Sequence, residues 1–100
     1  MISKPVKYAG LCRKIALILE YDGTNYAGFQ LQNTKPTIQG EVEKALTSLT
    51  LNQTRIHGAG RTDAGVHAKA QVAAFGTDAG LPSGTFVRGI NHFLPTDIAV

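Results

Sequence analysis

The chain has no tryptophan, a single cysteine and a single methionine, and charged residues make up only 17% of its 100 positions. With Cys12 alone, no internal disulfide can form and nothing points to an oxidising compartment. No apolar run approaches the roughly 20 residues needed to span a bilayer. The start carries Lys4 and Lys7, but the apolar core of a signal peptide does not follow them, so a cytoplasmic protein is expected. There is no internal repeat and no low-complexity tract. What is present is ordinary for a folded domain: 43% apolar residues, enough for one core but, over this length, not two. Only residues 1–13 read as a flexible arm. Lysine and arginine number 10 against 7 acidic residues, a net charge of +3. That surplus is compatible with a polyanionic partner and does not demand one.

Hydrophobic spacing predicts the elements. In KIALILEY at 14–21, Ile15, Leu17, Leu19 and Tyr21 share one strand face, while Ala16 and Ile18 keep the other largely apolar. Such a strand is expected at the centre of a sheet, covered on at least one side by helices. Asp22-Gly23 ends it, and the Gly-, Asn- and Gln-rich stretch to Asn33 reads as an exposed loop. Thr37 is the expected N-cap of a helix whose buried stripe is Ile38, Val42, Ala45, Leu46 and Leu49. Glu41 and Glu43 suit the positive end of its dipole. A second strand is predicted at 54–59 with Ile56 inward, a third at 71–75, and a second helix through Phe86, Val87, Ile90, Phe93 and Leu94, stopped by Pro95. Ile98, Ala99 and Val100 open a fourth strand, and ending inside it suggests a chain that continues. The order β-α-β-β-α-β is the split pattern of an α+β ferredoxin-like fold, with both helices on one face of an antiparallel sheet. Its other face would be open, and suited to RNA or to another domain.

The stretch richest in chemistry is G-A-G-R-T-D-A-G-V-H-A at 58–68. Gly58, Gly60 and Gly65 bracket Arg61 and Asp63 and permit tight or left-handed backbone. Residues two apart in an extended segment project to the same side, so an arginine at 61 can hold an aspartate at 63 ionised, ready as nucleophile or base. Locally, the plainer reading stays open: aspartates in glycine-rich connections are ordinarily turn formers, and Arg-Asp neighbours ordinarily surface pairs. The loop is neither a Walker phosphate loop nor a dinucleotide fingerprint. His57, His67 and His92 lack ligand spacing, so no metal is expected. Tyr21, Tyr26 and Phe29 are candidates for stacking on bases, although such aromatics more often pack.

Three blocks decide between these readings. E-Y-D-G-T-N-Y-A-G-F-Q at 20–30, the loop at 58–68, and N-H-F-L-P-T-D-I-A-V at 91–100 resemble, in order and spacing, the tRNA pseudouridine synthase A family. The resemblance covers residues 14–100. It implies a cofactor-free isomerisation in which uracil is detached from C1′ of a uridine in the anticodon stem-loop of tRNA, turned, and rejoined through C5. It assigns the essential aspartate to Asp63, and places Gly60, Arg61, Thr62 and His67 against the substrate, with Arg61 filling the gap left by the flipped nucleotide or holding its phosphate. A carboxylate suits this chemistry, because breaking the glycosidic bond leaves C1′ electron-poor. Phe29 stands where the family commonly has tryptophan. The family also has a second domain of related fold, which supplies an active-site tyrosine across a cleft, and usually works as a homodimer. The competing expectation is a stand-alone RNA-binding or interaction module of the same fold, with Asp63 serving only its loop.

Overall fold

The computed structural model describes residues 13–60 and 62–100. Strand β1 (Arg13–Tyr21) leads through a single 3-10 turn (Gly23–Asn25) and an irregular segment to helix α1 (Ile38–Thr50). Strands β2 (His57–Gly58) and β3 (Ala68–Thr77), helix α2 (Ser83–Phe93) and strand β4 (Ile98–Ala99) complete the chain. The sheet order is β2-β3-β1-β4 and every neighbouring pair is antiparallel. This is the ferredoxin-like arrangement the element order predicts. β1 is interior to the sheet, as expected, paired with β3 on one side and β4 on the other, although only its inward face is buried.

Alternation along the strands builds the core. Leu17, Leu19 and Tyr21 of β1 and Ala73 and Phe75 of β3 are buried with Ile38, Val42, Ala45 and Leu46 of α1 and Phe86 and Ile90 of α2, all in one cluster. Both helices therefore cover one sheet face. On the other face Ile18 is 62% and Val72 41% exposed, and these two are register partners. No aromatic side chain lies among the outward residues Lys14, Ala16, Ile18 and Glu20 of β1 or Ala70, Val72 and Ala74 of β3, while exposed His57 of β2, paired with Ala74, lies on this face.

Several expectations are adjusted. Arg13, the last residue of the stretch read as an arm, already lies in β1; its guanidinium donates to the carbonyls of Ala79 and Leu81 and lies over the Phe86 ring. Residues 1–12 lie outside the described residues. β2 is shorter than 54–59, because the Ile56 amide donates to Glu43 Oε2 of α1 (2.9 Å) instead of to a neighbouring strand. Glu43 also accepts from Gln39 Nε2, so it anchors the approach to β2 more than it serves the helix dipole. β3 runs past both of its expected ends. In α2, Phe86 and Ile90 are buried as expected while Val87 and Phe93 stay exposed. Thr37 does cap α1, accepting from the Gly40 amide at 3.1 Å.

Candidate active-site loop

The loop at 58–68 joins β2 to β3 and stands at the end of the sheet where β1 turns out of it. Asp63 begins a tight turn: its carbonyl accepts from the Val66 amide (3.2 Å), with Gly65 at φ +78. Glycine in the third position of such a turn takes the left-handed conformation at no steric cost. Gly60, Asp63, Ala64, Val66 and His67 are all exposed. Among the described residues, no hydrogen bond or ion pair holds the Asp63 carboxylate. Arg61 lies outside the described residues, and so does its expected proximity to Asp63.

The segment after β1 holds this loop. It is exposed only in part: Asp22, Thr24, Asn25 and residues 30–33 face solvent, as its composition suggests, but Gly23, Tyr26, Gly28 and Phe29 are buried beneath residues 62–67. The Phe29 amide donates to the Thr62 carbonyl (3.0 Å), and the Gly65 amide donates to the Tyr26 carbonyl (3.2 Å). The Gly23 amide donates to His67 Nδ1 (2.9 Å), and the Tyr21 hydroxyl meets Thr62 Oγ1 at 2.9 Å. Backbone packs directly on backbone. A Cβ at Gly23 would lie 1.9 Å from the Val66 carbonyl oxygen, and one at Gly28, where φ is +95, 2.8 Å from that of Thr62. Glycine is needed at both positions for that approach. Phe29 seats its ring against Gly58, where a Cβ would come within 2.7 Å of Phe29 Cε2. Tyr21, Tyr26 and Phe29 thus pack and are not available to stack on bases.

His67 has two neighbours at Nδ1. Because the Gly23 N–H points at it, Nδ1 acts as acceptor and the ring proton sits on Nε2. The Asp22 carboxylate 3.2 Å away is therefore not a hydrogen-bond partner of that tautomer. Asp22 is itself held below the usual carboxylate range, first by the Thr24 hydroxyl and then by the Thr24 amide.

The block at 91–100 supports the first block from the other side. The Asp97 carbonyl accepts from the Asp22 amide (2.9 Å) and the Asp97 carboxylate from the Tyr26 hydroxyl. Asn91 brackets Val100, accepting from its amide (2.8 Å) and donating to its carbonyl (3.2 Å). Spacing placed Tyr21 on the inward face of β1 and composition marked Tyr21 and Tyr26 as aromatics, but neither reached their partners or those of Gly23 and Asp97, which lie 41 to 71 residues away where side chains pair.

A recess lined by Glu20, Asp22, His67, Lys69 and Asp97 lies on one side of the loop. A second, lined by Gln39, Arg55, His57 and Gly60, lies by β2. Asp63 lines neither. Among the described residues no cluster of three or more His, Cys, Asp or Glu side chains could hold a metal ion, and no helix is long and apolar enough to cross a membrane.

A family model described as tRNA pseudouridine synthase matches residues 17–100. Curated relatives named tRNA pseudouridine synthase A include that of Geobacter sulfurreducens, 57% identical over 88 residues, and that of Geobacter sp. strain M21, 53% identical over 88. The relative from Acetivibrio thermocellus is 47% identical over the same length. Each comparison covers 88% of this chain and 36% of the relative, so the chain spans about a third of the length of the curated relatives it matches.

Proposed function

Because the chain belongs to the tRNA pseudouridine synthase family, we propose that it carries the catalytic aspartate, Asp63, of an enzyme that isomerises uridine to pseudouridine in the anticodon stem-loop of tRNA. The observation that carries this reading is the contrast within the loop. The loop is held through the backbone of Thr62 and Gly65 and through the His67 imidazole, while the Asp63 carboxylate is exposed and has no partner of its own among the described residues. A structural aspartate in a turn spends its carboxylate on nearby amides. This one is presented outward from a fixed frame, as a reacting group requires.

The chemistry follows from the carboxylate. The N1–C1′ bond of the target uridine breaks, the base turns, and a C5–C1′ bond forms; the proton on C5 is released and N1 ends protonated. Asp63 either attacks C1′ as it becomes electron-poor or removes the C2′ proton. The isomerisation has no net electron transfer and requires no cofactor. Gly60, Arg61 and His67 contact the substrate, Arg61 at the flipped nucleotide. Thr62 contributes through its main chain, since its hydroxyl is engaged by Tyr21. The working protein is a cytoplasmic homodimer with tRNA spread over both subunits.

The test is Asp63→Asn in the protein as expressed from its own gene. Pseudouridine formation falls by at least about a thousandfold while tRNA affinity changes little. Retained turnover would overturn the assignment. A second reading, an interaction module, is favoured by the exposed Ile18–Val72 strip on the open sheet face. It predicts that Asp63→Asn has no effect, and that Ile18→Lys abolishes partner binding.

A further inference from the structure

We propose that Tyr21 is a positioning residue for the reaction, fixing Asp63 through a hydrogen bond to Thr62; this rests on the reading of Asp63 as the reacting carboxylate. Tyr21 is the last residue of β1 and points inward beside Leu19, and only 4% of its surface is exposed. Its ring serves the core as any aromatic would. Phenylalanine would fill the same space, so packing does not account for the hydroxyl. That hydroxyl meets Thr62 Oγ1 at 2.9 Å, and among the described residues neither has another hydrogen-bond partner.

Thr62 is the residue before Asp63, and it is held twice. Its side chain is bound by Tyr21, and its carbonyl accepts from the amide of the buried Phe29. Just beyond Asp63, the Gly65 and Val66 amides bond to the carbonyls of Tyr26 and Asp63. The Asp63 backbone is therefore suspended between two anchors. Because no side-chain bond aims its carboxylate, the carboxylate takes its position from those anchors. A displacement of about 1 Å at a reacting group can cost on the order of a hundredfold in rate. Loss of the Tyr21 hydroxyl frees the upstream anchor on its side-chain side, and turnover falls without loss of RNA affinity.

The experiment has two arms, with Tyr21→Phe, Thr62→Val and the double variant in each. The first is amide hydrogen exchange on this chain. Phe29, Gly65 and Val66 exchange about tenfold faster in Tyr21→Phe while the Leu19 and Phe75 amides keep their rates. Thr62→Ser, which retains a hydroxyl, recovers protection that Thr62→Val loses. The second arm is turnover in the protein as expressed from its own gene. In each single variant kcat falls at least about tenfold with tRNA Kd within about twofold, and the double variant is no worse than the poorer single one. Unchanged loop exchange overturns the proposal. So do strand amides that accelerate equally (a merely structural role), effects that multiply in the double variant, or an affinity loss that accounts for the turnover loss. Asp63→Asn is run alongside: if it stays active, the assignment of Asp63 has failed, whereas an inactive Asp63→Asn with a fully active Tyr21→Phe removes only the role given to Tyr21.

Discussion

The Tyr26 hydroxyl donates to Asp97 Oδ1 at 2.5 Å, joining the segment after β1 to the turn that leads into β4. Tyr26 is buried and Asp97 half-buried, and Tyr26 also holds Gly65 through its carbonyl. One buried aromatic thus braces the loop at 58–68 from below and is itself braced from the far edge of the sheet.

Replacing Tyr26 with phenylalanine keeps the ring and removes the bond. Hydrogen bonds to charged groups contribute about 1.5–3 kcal/mol, and Tyr26→Phe is expected to lower unfolding free energy in that range. Urea denaturation checks it, with the m-value unchanged.

The same phenol makes stability depend on alkaline pH. Burial first, and then the bond to Asp97 and the charge of that carboxylate, push Tyr26 well above its ordinary value of 10.0. In the unfolded chain the phenol ionises near 10, so above that pH the unfolded state releases a proton that the folded state retains. Its contribution is therefore complete below pH 10 and is lost progressively as pH rises toward the folded pKa. The wild-type unfolding midpoint should fall more steeply from pH 9.5 to 11.5 than that of Tyr26→Phe. Parallel curves for the two proteins would contradict this.

Gly23→Ala tests the contact between the two loops. The new methyl would sit 1.9 Å from the Val66 carbonyl oxygen, which belongs to backbone and has no rotamer to yield. The loops must separate. The expected cost is about 1–3 kcal/mol, with the largest amide shift changes at residues 65–67 in NMR spectra. An alanine variant as stable as the wild type, with unshifted loop amides, would show that the close approach is dispensable.

Leu51 ends α1 in the left-handed conformation, at φ 63, with 85% of its surface exposed. A leucine there carries Cβ strain and buries almost nothing in return. Leu51→Gly is expected to stabilise the chain by roughly 0.5–1 kcal/mol, the relief of strain exceeding the added freedom of the unfolded chain. Thermal melts should show a rise of a few degrees.

Much of the architecture was legible in the chain because it rests on local rules. Alternation in KIALILEY marks a central strand, the Thr37 cap and the Ile38-Val42-Leu46 stripe mark a helix, and Pro95 marks a stop; each depends on neighbours within a few residues. The three blocks, too, could be read directly, and with them the family and the proposal of Asp63. Tertiary structure alone decided what the other residues in those blocks do. Asp22 to Phe29, polar and glycine-rich, looked like a solvated loop because composition reports affinity for water and not the presence of a second backbone to cover it. Folding lays residues 62–67 over that segment, so its glycines become contact points and its aromatics become core. The end of β2 was set in the same way, by a carboxylate from α1 that competes for the Ile56 amide. The partnership of Tyr21 with Thr62 joins residues 41 apart, a separation over which no periodicity carries information. It exists only once β1 and β3 pair and bring the two loops to one end of the sheet.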